Sequence, residues 1–171
     1  QGEELGLAEA EVPFEALQDP YGITFWPNFK GRDGCRTPLP WTDAPLAGFT
    51  TGQPWLPIPA EHRAAAVAVQ ERDPHSVLAA FRAFLAWRHT QPALLHGSIR
   101  FLESAEPVLL FERMLADETL LLAFNLSAEA VSHPLPPGNW QQVVVPGPDA
   151  GTVQGNELQL PPRAVYCARR S

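Results

Sequence analysis

The sequence predicts two structural parts: an irregular segment that ends in a helix, and an antiparallel β-sandwich that follows it. Three observations predict this order. Residues 1–60 show no sustained helical or strand period and are interrupted throughout by proline and glycine. A helical period then covers residues 74–90, and after Gly97 the chain changes to short extended runs separated by turn residues. We therefore predict two domains, at 1–97 and 98–171.

The first 60 residues are the least regular part of the chain. Loops beyond about 15 residues without regular structure are uncommon in compact domains, and they are usually functional or disordered. This segment is too rich in aromatic side chains for disorder. We expect a folded surface that packs on other protein or on a ligand. The aromatic residues are Phe14, Tyr21, Phe25, Trp26, Phe29, Trp41, Phe49 and Trp55.

Two helices are predicted after this segment. An alanine-rich stretch predicts a short helix near 61–66. Asp73 is a typical N-cap and Pro74 suits the first helical position, so a longer helix begins there and runs to about residue 90, before Pro92. We expect it to pack through an apolar stripe made of Val77, Leu78, Phe81, Phe84 and Leu85.

The sandwich is predicted from six or seven short strand-like runs after Gly97. Some alternate in polarity, whereas TLLLAF has the continuous apolar character of a buried strand. A carbohydrate-binding module is an alternative, but such modules usually expose a row of aromatic rings, and several aromatic residues here lie in runs that look buried. The predicted strands are SIRFLE, VLLFERML, TLLLAFNLS, AVSHPL, WQQVVVP, ELQLP and AVYCARR.

Composition and charge argue against several partners. Nineteen acidic against 12 basic side chains give a formal net charge of −7, which disfavours nucleic acid and anionic membrane surfaces and favours neutral substrates. No run of about 18 apolar residues is present, and the first residues carry no signal-peptide pattern. Cys35 and Cys167 lie far apart without metal-type spacing, so we predict two free thiols and a cytoplasmic location.

Motifs of metal, nucleotide and nucleophile chemistry are missing from the sequence. The five histidines show no HExxH or paired spacing and are expected at the surface or at helix ends. No GxSxG elbow occurs, and the glycines of GRDG do not follow the GxxxxGK[ST] pattern. The adjacent Glu3 and Glu4 would point to opposite faces of a strand, so they do not form a catalytic pair. We expect no metal site and no cofactor.

The stretch KGRDGCRTPLPW, residues 30–41, combines turn residues with two arginines. A guanidinium offers a planar set of donors that suits vicinal hydroxyls or a carboxylate, and Gly31 and Gly34 allow close backbone approach. Arg32 is therefore a candidate for sugar recognition among many aromatic rings. For Arg36, pairing with a neighbouring carboxylate that holds the loop is an equally good interpretation.

Read together, four segments resemble the C-terminal third of the α-glucosidase branch of glycoside hydrolase family 13, the α-amylase family. QGEELGL resembles the eighth barrel strand and its exit, and RDGCRTPLPW resembles the R-D-x-x-R-T-P-x-x-W signature of oligo-1,6-glucosidases and α-glucosidases. DPHSVLAAFRAFLAWR resembles the last barrel helix, and the strands after Gly97 resemble the family's C-terminal domain. The resemblance implies an α/β fold: the C-terminal end of a (β/α)8 TIM barrel (eighth strand, long loop, last helix), followed by an antiparallel β-sandwich.

The resemblance also implies a function, that of a retaining α-glucosidase. The expected substrates are maltose-like α-glucosides with terminal non-reducing glucose, with glucosyl transfer to alcohols or phenols. The family's catalytic carboxylates lie upstream of the eighth strand, so this chain is expected to contain no catalytic residue and to be inactive without the N-terminal barrel portion. The first residue, Gln1, likewise suggests a piece of a larger protein. Alternatives are a glucosyl isomerase or transferase of the same family, or a non-catalytic glucosidase-like scaffold.

Residue by residue, the resemblance gives Arg32 the role of binding the terminal glucosyl unit in a dead-end pocket. Asp33 and Arg36 match signature positions that hold the loop. PLPW departs from relatives that often carry Met and Gln before the Trp. Possible lining residues on the acceptor side of the pocket are Phe14, Phe25, Trp26 and Phe29.

Overall fold

A computed structural model describes residues 1–171, which pack as two compact units, Gln1–Phe81 and Arg82–Ser171. The boundary between these units falls inside the longest helix. The domain division at residue 97 stays a prediction.

The first unit contains short helices joined by irregular backbone and has no strand. Its small core consists of Val12, Leu17 and Leu56, with Ala16 packed against them. The segment is folded in spite of its lack of periodicity. Its 3-10 helices are Glu3–Leu5, Phe14–Ala16 and Asp33–Cys35, and its α-helices are α1 (Pro20–Thr24), α2 (Ala60–Ala64), α3 (Val67–Gln70) and the start of α4 (Val77–His89).

The segment QGEELGL does not form the strand that the resemblance suggested. Glu3–Leu5 is a 3-10 helix flanked by Gly2 and Gly6, with φ values of 88° and 67°. A left-handed backbone at both flanks does not continue as extended strand, which requires negative φ. The segment therefore corresponds to the exit from the eighth strand rather than to the strand itself.

The start of α4 was predicted three residues too early, at Pro74 instead of Val77. The carboxylate of Asp73 accepts the N–H of His75 at 2.8 Å and so closes a turn. Ser76 is the actual N-cap, because its hydroxyl accepts the N–H of Ala79 at 3.2 Å. An aspartate before proline favours either a cap or a turn, and the sequence does not choose between them.

The apolar stripe predicted for α4 is only partly buried. Leu78 is buried, whereas Val77 and Leu85 are exposed. Within the second unit, Phe84 packs on the core together with Trp87, which lies outside the predicted stripe. The helix is apolar on more than one side, so its period alone does not decide which side is covered. Pro92, expected only to end this helix, also begins α5 (Pro92–His96).

The second unit is a pair of antiparallel sheets with strand orders β1-β2-β3-β8-β5 and β4-β7-β6. The structure thus adds one strand to the predicted runs: Thr152–Gln154 is too short to show alternation. The strands are β1 (Ser98–Phe101), β2 (Val108–Leu115), β3 (Glu118–Asn125), β4 (Val131–Pro134), β5 (Trp140–Gln142), β6 (Thr152–Gln154), β7 (Glu157–Leu160) and β8 (Val165–Arg170).

Both faces of the larger sheet are covered. On one face, Leu110 and Leu121 join Leu158 of the smaller sheet in one apolar cluster. On the other face, Leu120 and Leu122 pack with Leu94 of α5. Because neighbouring residues of β3 point to opposite faces, burial of both faces explains the continuous apolar run TLLLAF.

Both cysteines are free thiols, as predicted, with Cys35 exposed and Cys167 buried. None of the helices is both long and apolar enough to cross a bilayer.

Candidate functional site

The loop that carries the two arginines is organised around the buried side chain of Asp33. This carboxylate is 0% exposed, and its Oδ2 accepts the backbone N–H groups of Gln18 at 2.6 Å and Asp19 at 2.7 Å. An irregular backbone offers its own N–H groups no regular partner, and unpaired buried N–H groups are costly. The Asp33 carboxylate therefore accepts backbone N–H groups that a helix turn or a neighbouring strand would accept in regular structure.

Asp19 makes the reciprocal contact. Its Oδ2 accepts the backbone N–H of Arg32 at 3.0 Å, and its Oδ1 accepts that of Tyr21 at 2.9 Å, which caps α1. These N–H groups, that of Arg32 first, lower the pKa of Asp19 from its ordinary value of 3.8, against the opposing effect of burial. We call Asp19 and Asp33 the carboxylate clasp, because each side chain holds the backbone beside the other.

Arg36 lies next to both members of the clasp. Its guanidinium NH1 is 3.5 Å from Asp19 Oδ2 and 3.7 Å from Asp33 Oδ1. The latter oxygen accepts no hydrogen bond, so this cation is its nearest compensating charge. Two buried carboxylates share one half-exposed arginine, an arrangement suited to holding the loop.

The glycines of this loop serve contacts within the chain. Gly31 has φ of 73°, and a Cβ there would lie 2.8 Å from Asp19 Cβ. A Cβ on Gly22 would lie 2.5 Å from the carbonyl oxygen of Lys30, and one on Gly34 would lie 2.4 Å from that of Ala10. The close approach predicted for Gly31 and Gly34 is thus made within the chain, to the Asp19 side chain by Gly31 and to the Ala10 backbone by Gly34.

Arg32 differs from Arg36 in having no protein partner for its charge. Its side chain is exposed and forms no ion pair with any carboxylate of the chain. It lines a cleft of about 440 Å³, and the other lining residues include Arg36, Tyr21, Phe29 and the clasp residue Asp19. Five N–H donors of a rigid guanidinium therefore face solvent in a cleft that also holds two aromatic rings.

The four aromatic residues predicted to line the acceptor side are all exposed, but only Phe29 lines the cleft with Arg32. Phe14 and Trp26 contact each other, with ring centroids 5.6 Å apart. Phe25 stacks on Tyr21 at 6.2 Å and reaches the cleft only through that ring.

Sequence reasoning missed Asp19 and Tyr21, both of which line the cleft. The signal was present, because Asp19 and Pro20 repeat the Asp-Pro pattern that was interpreted as a helix cap at residues 73–74. Recognising a cap at Asp19 places Tyr21 in the first turn of α1, beside that carboxylate.

Two buried polar side chains outside the motif bind backbone groups elsewhere in the first unit. His62 was expected at the surface or a helix end, but it is buried within α2, and its Nε2 lies 2.8 Å from the carbonyl oxygen of Ala8. Gln70 donates to the carbonyl of Leu5 at 2.8 Å and accepts the N–H of Leu78 at 2.9 Å.

The chain holds no group of three or more His, Cys, Asp or Glu side chains arranged to bind a metal ion.

Comparison with known proteins assigns this fold. Residues 1–97 match the family model described as the alpha amylase catalytic domain. The chain belongs to the α-amylase family. Residues 102–167 match a second model, described as a domain of unknown function, DUF3459. The chain is the C-terminal end of the α-amylase (β/α)8 barrel followed by an antiparallel β-sandwich, as the resemblance implied.

Relatives of this α-amylase-family chain are glucosidases and glucosyl-transferring enzymes. A probable α-glucosidase of Rhizobium meliloti (strain 1021) is 48% identical over 169 residues, which are 99% of this chain and 30% of the relative. The crystal structure of the α-glucosyl transfer enzyme XgtA is 64% identical with a TM-score of 0.95 over 100% of this chain and 32% of that one. Trehalulose synthase MutB from Pseudomonas mesoacidophila MX-45 is 28% identical with a TM-score of 0.83, over 100% of this chain and 35% of that one.

The chain therefore spans about a third of the length of these relatives and lacks their N-terminal part.

Proposed function

We propose that this chain is the C-terminal part of a retaining α-glucosidase and supplies part of its glucose-binding pocket. The observation that carries the proposal is the guanidinium of Arg32, which is exposed in a cleft, unpaired with any carboxylate and attached to a firmly held backbone. Related proteins named as α-glucosidase and oligo-1,6-glucosidase support the substrate class.

Arg32 would act by recognition. Its planar donors pair with vicinal hydroxyl oxygens of a terminal glucosyl unit, and a cation at the far end of a pocket leaves no room for a longer chain beyond that unit. Such a dead end makes the enzyme exo-acting, with release of one glucose from the non-reducing end. Arg36 and Asp33 hold the loop, since their charges are directed at each other and at Asp19.

Bond cleavage would come from the rest of the barrel. Retaining glycosidases need two carboxyl groups about 5 Å apart, one as nucleophile and one as acid and base. In this proposal the missing N-terminal portion supplies both, and the isolated chain is inactive. No cofactor takes part in that chemistry.

Glucosyl transfer is the second part of the proposal. The glycosyl-enzyme intermediate reacts with water or with an acceptor hydroxyl, and the acceptor must lie next to the glucose-binding pocket. Phe29 and Tyr21 line the Arg32 cleft and offer apolar faces for an alcohol or a phenol. Phe14, Phe25 and Trp26 remain candidates for the outer part of this acceptor side. The α-glucosyl transfer enzyme XgtA supports this reading.

A glucosyl isomerase of the same family is the second candidate, because trehalulose synthase MutB shares the fold of this chain. Incubation of the full-length enzyme with maltose, with sucrose and with maltose plus a phenol separates the two. Release of glucose and a phenyl glucoside supports the glucosidase, whereas conversion of sucrose to an isomer supports the isomerase. Absence of turnover on all three would favour a non-catalytic scaffold.

A cytoplasmic location stays a prediction from the two free thiols.

Replacement of Arg32 in the full-length enzyme tests the site. Arg32→Ala is expected to lower kcat/KM on a nitrophenyl α-glucoside by more than about tenfold, because donors that bind the sugar in the transition state are lost. Arg63→Ala is the matched control, since Arg63 lies in the same unit and makes one long contact, 3.4 Å to the carbonyl oxygen of Asp43. Equal kinetics of the two variants would overturn the assignment of Arg32.

A further inference from the structure

We propose that Asp19 is a positioning residue that fixes Arg32 against the glucosyl unit. The inference rests on the proposed function of Arg32 and adds a residue outside the signature that contains it. Asp19 lines the same cleft, and its carboxylate Oδ2 accepts the Arg32 backbone N–H at 3.0 Å.

The position of the Arg32 guanidinium depends on its backbone. The side chain has no ion-pair partner in the chain, so nothing of that kind fixes its far end before substrate binds. The Arg32 side chain begins at its Cα atom, which is attached to the backbone N–H of Arg32. That N–H is held by a side chain, because it donates to the carboxylate of Asp19. Displacement of that amide would move the origin of a long side chain.

Asp19 itself cannot shift easily. Its own N–H is bound to Asp33 at 2.7 Å, and its Cβ lies 2.8 Å from where a Cβ on Gly31 would be placed. The residue is buried, and its second carboxylate oxygen caps α1 through Tyr21 at 2.9 Å. One side chain thus fixes both Arg32 and Tyr21, which line the same cleft.

A serine at this position separates the two tasks of Asp19. Serine is as good an N-cap as aspartate, so its hydroxyl oxygen can keep α1 capped through the N–H of Tyr21. Serine has no second acceptor in the place of Oδ2, so the N–H of Arg32 loses its side-chain partner. Asp19→Ser therefore removes the restraint on Arg32 while leaving the helix capped.

The experiment is a double-mutant cycle of Asp19→Ser and Arg32→Ala in the full-length enzyme, measured with a nitrophenyl α-glucoside. Asp19→Ser alone is expected to lower kcat/KM by about tenfold to a hundredfold, since a displacement near 1 Å can cost that much. In the Arg32→Ala background it should lower kcat/KM by less than about twofold, because both changes remove the same contact. Both single variants should divide their loss between kcat and KM in the same way.

The matched control is Asp73→Ser. Asp73 also precedes a proline and accepts a nearby N–H, that of His75, but it does not line the cleft. This variant should keep kcat/KM within about twofold of the wild type. Thermal unfolding of all variants reports whether each one is folded at the assay temperature.

Three outcomes contradict the inference, and they differ from one another. If Asp19→Ser matches the wild type while Arg32→Ala is impaired, Asp19 does not position Arg32 and the proposed function stands. If Asp19→Ser costs the same factor in both backgrounds, it acts through the fold rather than through Arg32. If Arg32→Ala is unimpaired, the proposed function of Arg32 is wrong and the inference falls with it.

Discussion

The two units each bury one carboxylate completely and satisfy it in different ways. In the first unit Asp33 is 0% exposed, and it accepts two backbone N–H groups. In the second unit Glu112 of β2 is 1% exposed, and its oxygens accept from arginine side chains, Arg100 Nε at 3.0 Å and Arg170 NH2 at 3.2 Å. Asp33 thus binds backbone N–H groups, whereas Glu112 binds arginine side chains.

The difference follows from the backbone around each acid. The N–H groups of β2 are already paired with β1 and β3, so Glu112 finds donors only among side chains. Arg170, which binds Glu112, also stacks on Trp140 at 4.7 Å from the ring centroid. The loop of the first unit has no neighbouring strand to accept its backbone N–H groups, so the Asp33 carboxylate accepts them instead. In this chain, Asp33 is therefore held mainly by backbone N–H groups, whereas Glu112 is held mainly by arginine side chains.

The largest expected effect is that of Asp33→Ala. This change leaves the N–H groups of Gln18 and Asp19 without an acceptor, which should lower the free energy of unfolding by about 4 kcal/mol and abolish most activity. Urea unfolding and kcat/KM of the full-length enzyme measure both. Asp33→Asn is the sharper comparison. Its amide oxygen can keep both bonds, but its NH2 group is then buried beside Arg36 without an acceptor, so it should cost about 2 kcal/mol. Equal losses in the two variants would mean that the charge of Asp33 matters more than its acceptor geometry.

The second effect compares two glycines with left-handed backbone, one in each unit. Gly31→Ala should lower the free energy of unfolding by about 3 kcal/mol, because it adds overlap with Asp19 to the cost of a positive φ. Gly155→Ala, in the turn between β6 and β7, meets no atom within 4 Å and should cost only about 1 kcal/mol. Urea midpoints measure the difference, and similar values would show that the chain around Gly31 relaxes freely.

Glu112→Gln tests the charge in the sheet. Glutamine keeps the shape but can accept from only one arginine through its single carbonyl oxygen, so the free energy of unfolding should fall by about 2 kcal/mol. Glu118→Gln is the control, since Glu118 pairs with Arg169 at 3.0 Å in a more exposed position and should cost under about 1 kcal/mol. If Glu112→Gln proves harmless while Asp33→Asn is severe, the contrast between the two acids is reversed.

The smallest effect concerns the two thiols. Burial raises the pKa of Cys167 from its ordinary value of 9.0 to about 11, whereas Cys35 is exposed. The unfolded chain releases this proton at lower pH than the folded one, so stability should fall as pH rises above 9.0, by less than about 1 kcal/mol at pH 9.5. Urea midpoints at pH 8 and 9.5 should show this decline in Cys35→Ala. In Cys167→Ala only a smaller decline should remain, because burial also raises the pKa of Tyr166 above its ordinary value of 10.0. An equal decline in the two variants would show that Cys167 is not its source.

Much of the architecture could be predicted from sequence. The continuous apolar run of β3 reflects a strand that is buried on both faces, and the alternation of β7 reflects a strand that is buried on one face. These two patterns predicted the β-sandwich. The RDGCRTP signature led to the α-amylase family, which the match over residues 1–97 confirms. Errors arose at boundaries. Asp73 was interpreted as a cap and Asp19 was not recognised as one, since both precede proline and local sequence does not distinguish a cap from a turn.

By itself the sequence predicted which residues are candidates for binding sugar and for holding the loop, since side-chain type and motif spacing are local properties. It pointed to Arg32 as the candidate for sugar and to Arg36 with Asp33 as the pair that holds the loop. Only the tertiary structure decided that Asp19 joins them, because Asp19 and Arg32 are 13 residues apart and meet through a single side-chain bond to backbone. A bond of this kind leaves no periodic pattern in the sequence. It forms because an irregular backbone has no regular hydrogen-bond acceptors for its N–H groups.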